Sequence, residues 1–239
     1  MSTAQVTVIS SPELLELTLA KLPMRDLLVT APLVCKTWQA ITLTPALQRL
    51  LFFQPDTSSD RAENPLLVEL FPPFFAPGGP IRWSWPDSEA IESMPWSKAP
   101  DAFKRAEASW RRMLVTQPPA QRLVITEQCH ARGGDSVARA VLDDPCLRMG
   151  VLYDLVLPFI DRPASSFCIR WLGDSDGRDV REEITLEIAY TEQQCTGNWD
   201  KYIPERFYSD AAETVRVKFG ESVEVPWEVA YEYFCNLYK

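Results

Sequence analysis

The only histidine of the 239-residue chain, His130, stands directly after Cys129. A thiol beside an imidazole raises the question of zinc. Neighbouring residues on a strand point to opposite faces, so this pair is a poor chelate. The other five cysteines, Cys35, Cys146, Cys168, Cys195 and Cys235, are scattered, and none forms a Cys-x-x-Cys pair. That pattern suits reduced thiols of the cytosol or nucleus, and no metal is expected. A single His beside a Cys offers no separate base for a nucleophile, and no Gly-x-Ser-x-Gly elbow occurs.

Four further groups can be tested for chemistry. Asp174, Asp176 and Asp179, followed by Glu182 and Glu183, look like a calcium loop. Gly177 falls at the fourth position, however, where an EF-hand needs it at the sixth. A solvated turn is the plainer reading. Asp143-Asp144 before Pro145 reads as a helix cap and turn, not a catalytic dyad. Gly133-Gly134-Asp135-Ser136 can cradle an anion at a helix start but lacks the Lys of a P-loop, so a loop and N-cap are expected. Arg111-Arg112 beside Trp110 reads as a solvated face next to a buried ring. No catalytic constellation results, and the expectation is a non-catalytic protein without cofactor.

The elements that carry these residues follow from composition. The chain has 33 acidic and 24 basic residues, a net charge of −9. That balance argues against binding nucleic acid through a general basic field. No apolar run reaches the ~18 residues of a membrane span. Met1 to Ser10 lacks the basic start and apolar core of a secretory signal, and no Asn-x-Ser/Thr sequon occurs. A cytoplasmic or nuclear location is expected. The 20 prolines outnumber the 9 glycines, and eleven of those prolines lie between Pro55 and Pro119. Residues 1–53 carry +1, whereas residues 171–239 hold 15 acids against 7 bases.

Residues 10–54 read as helices. Ser10 or Ser11 can cap the first, with Pro12 in the first turn and Glu13 closing a capping box. Leu14, Leu15, Leu19 and Leu22 share a broad apolar face, and Leu17 lies off it, so apolar character extends around the helix. Pro23 ends this helix or starts the next, which carries Leu27, Leu28, Leu33, Val34, Trp38 and Ile41 and is broken or kinked at Pro32. Pro45 opens a third helix with Leu47, Leu50 and Leu51. From Pro12 to Phe53, 24 of 42 residues are apolar. Three short helices sit near the ~40-residue limit of an independent fold. They have more apolar surface than they can hide in one another, so the rest of the chain or a partner must cover it.

Residues 55–100 form a Pro- and aromatic-rich connecting segment. Its Phe71, Phe74, Phe75, Trp83, Trp85 and Trp96 must pack on something, and the C-terminal part is the expected support. Residues 101–239 read as an α+β domain. A helix is predicted over 101–113, with Phe103, Ala106, Trp110 and Met113 (or Leu114) on one face, and another over 147–160, broken near Pro158. Strands are predicted at Arg122–Glu127, at 166–172, at Ile184–Tyr190 and at Val215–Phe219. The fold class is α+β, with a mainly antiparallel sheet.

The N-terminal residues resemble an F-box. Ser11-Pro-Glu-Leu-Leu, Leu22-Pro-Met-Arg-Asp-Leu-Leu28, Val34-Cys-Lys-Thr-Trp38 and Pro45-Ala-Leu-Gln-Arg-Leu50 match that family's pieces in order and spacing over about 43 residues. The run Leu51-Phe-Phe-Gln-Pro55 and residues 108–119 are also similar to a group of fungal F-box proteins. Ser11 departs from the pattern, where the family has Leu. The resemblance implies a non-catalytic substrate receptor of an SCF ubiquitin ligase. It implies docking on the Skp adaptor, and through it on cullin and RING subunits, with an unknown protein substrate held elsewhere. The docking and core set it implies is Pro12, Leu14, Leu15, Leu19, Leu22, Pro23, Leu27, Leu28, Val34, Cys35, Trp38, Leu47 and Leu50. Trp38 is the leading single residue, as large aromatics dominate interfaces. Two other readings stay open: an adaptor-bound scaffold without ligase role, and a small ligand-binding or enzymatic α+β domain. For the substrate, the acidic C-terminal part with Trp171, Trp199, Trp227, Tyr202, Tyr208, Tyr231 and Tyr233 suits a basic or aromatic partner. Solvated acids around a packed core are the plainer reading.

Overall fold

The computed structural model describes residues 11–57, 61–77, 84–131, 134–144, 146–162, 164–171, 183–191, 207 and 223–225. The Asp174–Glu183 turn, apart from the backbone of Glu183, the strand at 215–219, and Trp83, Gly133, Cys195, Trp199, Tyr202, Tyr208, Trp227, Tyr231, Tyr233 and Cys235 lie outside the described residues.

The fold is α+β. Five short helices come first: α1 (Pro12–Leu19), α2 (Met24–Val29), α3 (Ala31–Val34), α4 (Lys36–Thr42) and α5 (Pro45–Leu50). The expected second helix is thus three pieces. Pro32 in the first turn of α3 and the extended backbone of Cys35 (φ −166°, ψ 170°) separate them. Ser11 is the N-cap of α1. Glu13 accepts a hydrogen bond from the Ser11 hydroxyl at 2.9 Å, and the expected capping box onto Ser10 lies outside the described residues. Leu15, Leu19, Leu27, Ala31, Ile41, Leu47 and Leu51 form a small core of their own.

The Pro-rich stretch then folds into β1 (Ala62–Glu63), α6 (Pro65–Leu70), α7 (Pro72–Phe75), α8 (Ser88–Glu92), a 3-10 turn at Pro95–Lys98, α9 (Pro100–Phe103) and α10 (Ser109–Arg112). Prolines suit these pieces because they sit in first turns, where no N–H is needed. The single helix expected over 101–113 is therefore two pieces. In a continuous helix Phe103 and Trp110 would sit roughly 10 Å apart along the axis. Here the chain breaks between them and their rings stack at 4.5 Å. Trp96 stacks on the other side of Phe103 at 3.6 Å.

The rest is β2 (Thr116–Gln117), β3 (Arg122–Ala131), β4 (Gly134–Asp143), α11 (Met149–Ile160), β5 (Ser166–Trp171), β6 (Glu183–Thr191) and β7 (Val223–Val225). The main sheet has the order β5-β6-β3-β4-β7. Three of its pairings are antiparallel and one, β3 with β6, is parallel. The strand at Arg122 runs four residues beyond its expected end. The Gly134-Asp135-Ser136 run opens β4 and is not a helix cap. Asp143 ends that strand, and Asp144 accepts the Cys146 N–H in a turn, while the residue capping α11 is Arg148. Helix α11 runs through Pro158, since a proline in the last turn forfeits one hydrogen bond only.

One core joins the middle segment to the sheet. Leu66, Leu67, Phe71, Phe74, Ile91, Met94, Phe103 and Trp110 pack with Leu123, Ile125, Leu152, Val156, Phe167, Leu186 and Ile188. Arg111 is not a solvated cation. Its guanidinium pairs with Asp154 of α11, both nearly buried. At the same crossing Gly150 has no room for a side chain, because a Cβ would lie 2.9 Å from the Arg111 carbonyl oxygen.

Candidate docking surface

Cys129 and His130 occupy opposite faces of β3. Cys129 pairs in register with Tyr190, and the Tyr190 hydroxyl is hydrogen-bonded to it. His130 Nδ1 lies 2.6 Å from Asp135 Oδ1 across the hairpin. Among the described residues no three His, Cys, Asp or Glu side chains come together as a metal site. Cys129 and His130 are thus each used in a pair with a residue of a neighbouring strand.

The unusual surface lies on the N-terminal helices. Among the described residues eight large apolar side chains are exposed, and seven of them fall between Leu14 and Leu50. Leu33 is the most open at 81%, followed by Leu43 at 67% and Leu17 at 64%. Leu14, Val29, Val34 and Leu50 complete the set. The cause is local. Helices of four to eight residues have one face to offer a core, and α1 spends that face on Leu15 and Leu19. Leu14 and Leu17 must then point away. On α5 Leu47 goes inward and Leu50 outward. Isolated exposed leucines need no explanation, but seven in 37 residues do.

The sequence-derived docking set divides by burial. Leu15, Leu19, Leu27 and Leu47 are core, each at most 2% exposed. Leu22, Leu28 and Trp38 are half-buried and pack on that core. Pro12, Leu14, Pro23, Val34, Cys35 and Leu50 face outward. Leu17, Val29, Leu33 and Leu43 were absent from that set. The available signal was Leu17 lying off the face of its neighbours.

The surface is held rigidly from behind. Leu28, Met24 and Phe53 pack against both the small core and the large one. The Gln117 side chain, from β2, donates to the carbonyls of Arg49 (2.8 Å) and Gln54 (3.1 Å). The Leu114 N–H donates to the Phe52 carbonyl at 2.7 Å. Phe52 takes a left-handed conformation (φ 60°), which turns the chain out of α5 toward the second core. Arg25 of α2 meets Glu69 of α6 at 2.6 Å, an exposed pair of small worth.

Comparison with known proteins finds no match among family models, curated proteins or solved structures.

Electrostatically the surface is mild. Its own backbone N–H and the Ser11 hydroxyl hold the Glu13 carboxyl below the usual range. Ser11 is well placed for this at the start of α1, where a negative charge also favours the helix dipole. Among the described residues no helix is long and apolar enough to cross a membrane. What such a surface can do is bind: shallow, apolar and presented by short helices, it complements another apolar protein face.

Proposed function

We propose that this chain is an F-box-type substrate receptor. Its N-terminal helices dock on a Skp adaptor, which links it to the cullin and RING subunits of a ubiquitin ligase. The α+β remainder recruits a protein substrate, in the cytoplasm or nucleus. The reading is supported by the concentration of exposed leucine and valine side chains on the helices whose residues carry the F-box pattern.

The test is direct. Purified full-length chain is titrated with purified Skp adaptor, next to Leu33→Asp. Leu33 is 81% exposed, so the substitution spares the fold. A charge placed in a desolvated apolar interface should weaken binding by roughly a hundredfold or more. Equal affinity for both proteins overturns the reading. Trp38→Ala is a poorer probe, because Trp38 packs on the small core and its loss also loosens the helices. An adaptor complex that never captures cullin would favour a scaffold without ligase role.

A further inference from the structure

A cleft of about 390 Å³ opens on the N-terminal helices, lined by Pro12, Glu13, Glu16, Leu17, Ile41 and Thr44. Its composition is mixed. Pro12, Leu17 and Ile41 give it apolar walls, while Glu13 and Glu16 stand three residues apart on the same side of α1. Among the described residues no ion pair includes either carboxylate. Thr44 adds a hydroxyl oxygen that is buried and has no hydrogen-bond partner. Leu17 belongs both to this cleft and to the exposed apolar surface, so whatever covers that surface reaches the cleft.

We infer that the cleft receives a lysine or arginine side chain from the protein that covers the apolar face. The inference rests on the docking reading above and adds the chemistry of one contact to it. A long cationic side chain satisfies both halves of the lining. Its methylene stem lies against Leu17, Ile41 and Pro12, and its charged head reaches the two carboxylates. A purely apolar occupant would strip water from two carboxylates and return nothing. An acidic occupant would be repelled. Residues 1–10 contain no Lys or Arg. The carboxylates then act as a selectivity element beside a greasy surface. They bring the right partner in faster and disfavour apolar partners that lack the cation.

The experiment compares four proteins, wild type, Glu16→Gln, Glu13→Gln/Glu16→Gln and Leu33→Asp, binding purified Skp adaptor at low and high salt. Glu16 is the cleaner position, since among the described residues no hydrogen bond or ion pair of its carboxylate is seen, and an unchanged melting temperature checks this. The glutamine variants should bind roughly tenfold more weakly at low salt, mainly through slower association, and should lose most of the salt dependence. If they match wild type in affinity and salt slope while Leu33→Asp loses binding, the cleft inference is overturned and the docking reading survives. If wild type fails to bind, or Leu33→Asp binds as wild type does, the docking reading falls and the cleft inference falls with it.

Discussion

Arg111 and Asp154 show how much a single pair decides at the residue scale. Both side chains are nearly buried where α10 crosses α11, and the Arg111 guanidinium also lies 5.2 Å from the Trp110 ring centre. Removing one partner leaves the other charged and dry. Asp154→Leu should therefore cost about 3–5 kcal/mol in urea unfolding. The double change Arg111→Met/Asp154→Leu should recover most of that, and failure to recover would mean that the pair carries more than charge. A second residue-scale expectation concerns high pH. Burial pushes the Cys168 thiol from 9.0 up to about 11. Burial, and then bonds to Cys129 and Glu127, likewise hold the Tyr190 hydroxyl above its usual range. Folded protein keeps these protons where unfolded chain has released them. Stability from Cys168 is thus complete below pH 9.0 and is lost as pH rises toward about 11. The melting temperature should fall over that interval, and Cys168→Ala should flatten the fall. An identical decline in the variant would contradict the assignment.

At the scale of elements, the tie between β2 and the end of α5 matters most. Gln117 is buried and donates to the carbonyls of Arg49 and Gln54, the first of which also accepts the Phe52 N–H. Gln117→Ala should cost about 1–3 kcal/mol. Amide exchange should quicken selectively around residues 48–54. A uniform increase across the chain would argue against a local tie. Elements also show what periodicity can and cannot reveal. Strand β6 was legible because Ile184, Leu186, Ile188 and Tyr190 alternate on a half-buried strand. Strand β4 was not, since Ala138, Arg139 and Ala140 carry no strong pattern. Its identity comes from the ten-residue register with β3. The helix expected over 101–113 failed for a tertiary reason, as stacking Phe103 between Trp96 and Trp110 outweighed local continuity. For the docking surface, residue type could locate the region but not sort it. Leu27 and Leu33 read alike in a sequence, yet one is core and the other is open to water. Their separation depends on the breaks at Pro32 and Cys35, which set the direction of each short helix.

Across the whole molecule, the helical unit and the α+β part are not independent. Met24, Leu28 and Phe53 pack on both cores, so a fragment of residues 1–57 would expose them as well as the outward leucines. Such a fragment should melt without a cooperative transition by circular dichroism, at a size where independent folding is marginal. A sharp transition would show that the small core suffices alone. The chain's charge is also partitioned, with +1 on residues 1–53 and the acids concentrated toward the C-terminus. The bracing by Gln117, Leu114 and Phe52 then has a mechanical meaning. A tethered client normally samples a sphere whose radius is set by linker slack, and its effective concentration at any point is diluted accordingly. Among the described residues, no slack separates the N-terminal helices from the core beneath the sheet. For a receptor of the proposed kind, a bound client would be offered at one angle and one reach. Which of its surface lysines meet the transferring enzyme would be decided by geometry before affinity is considered.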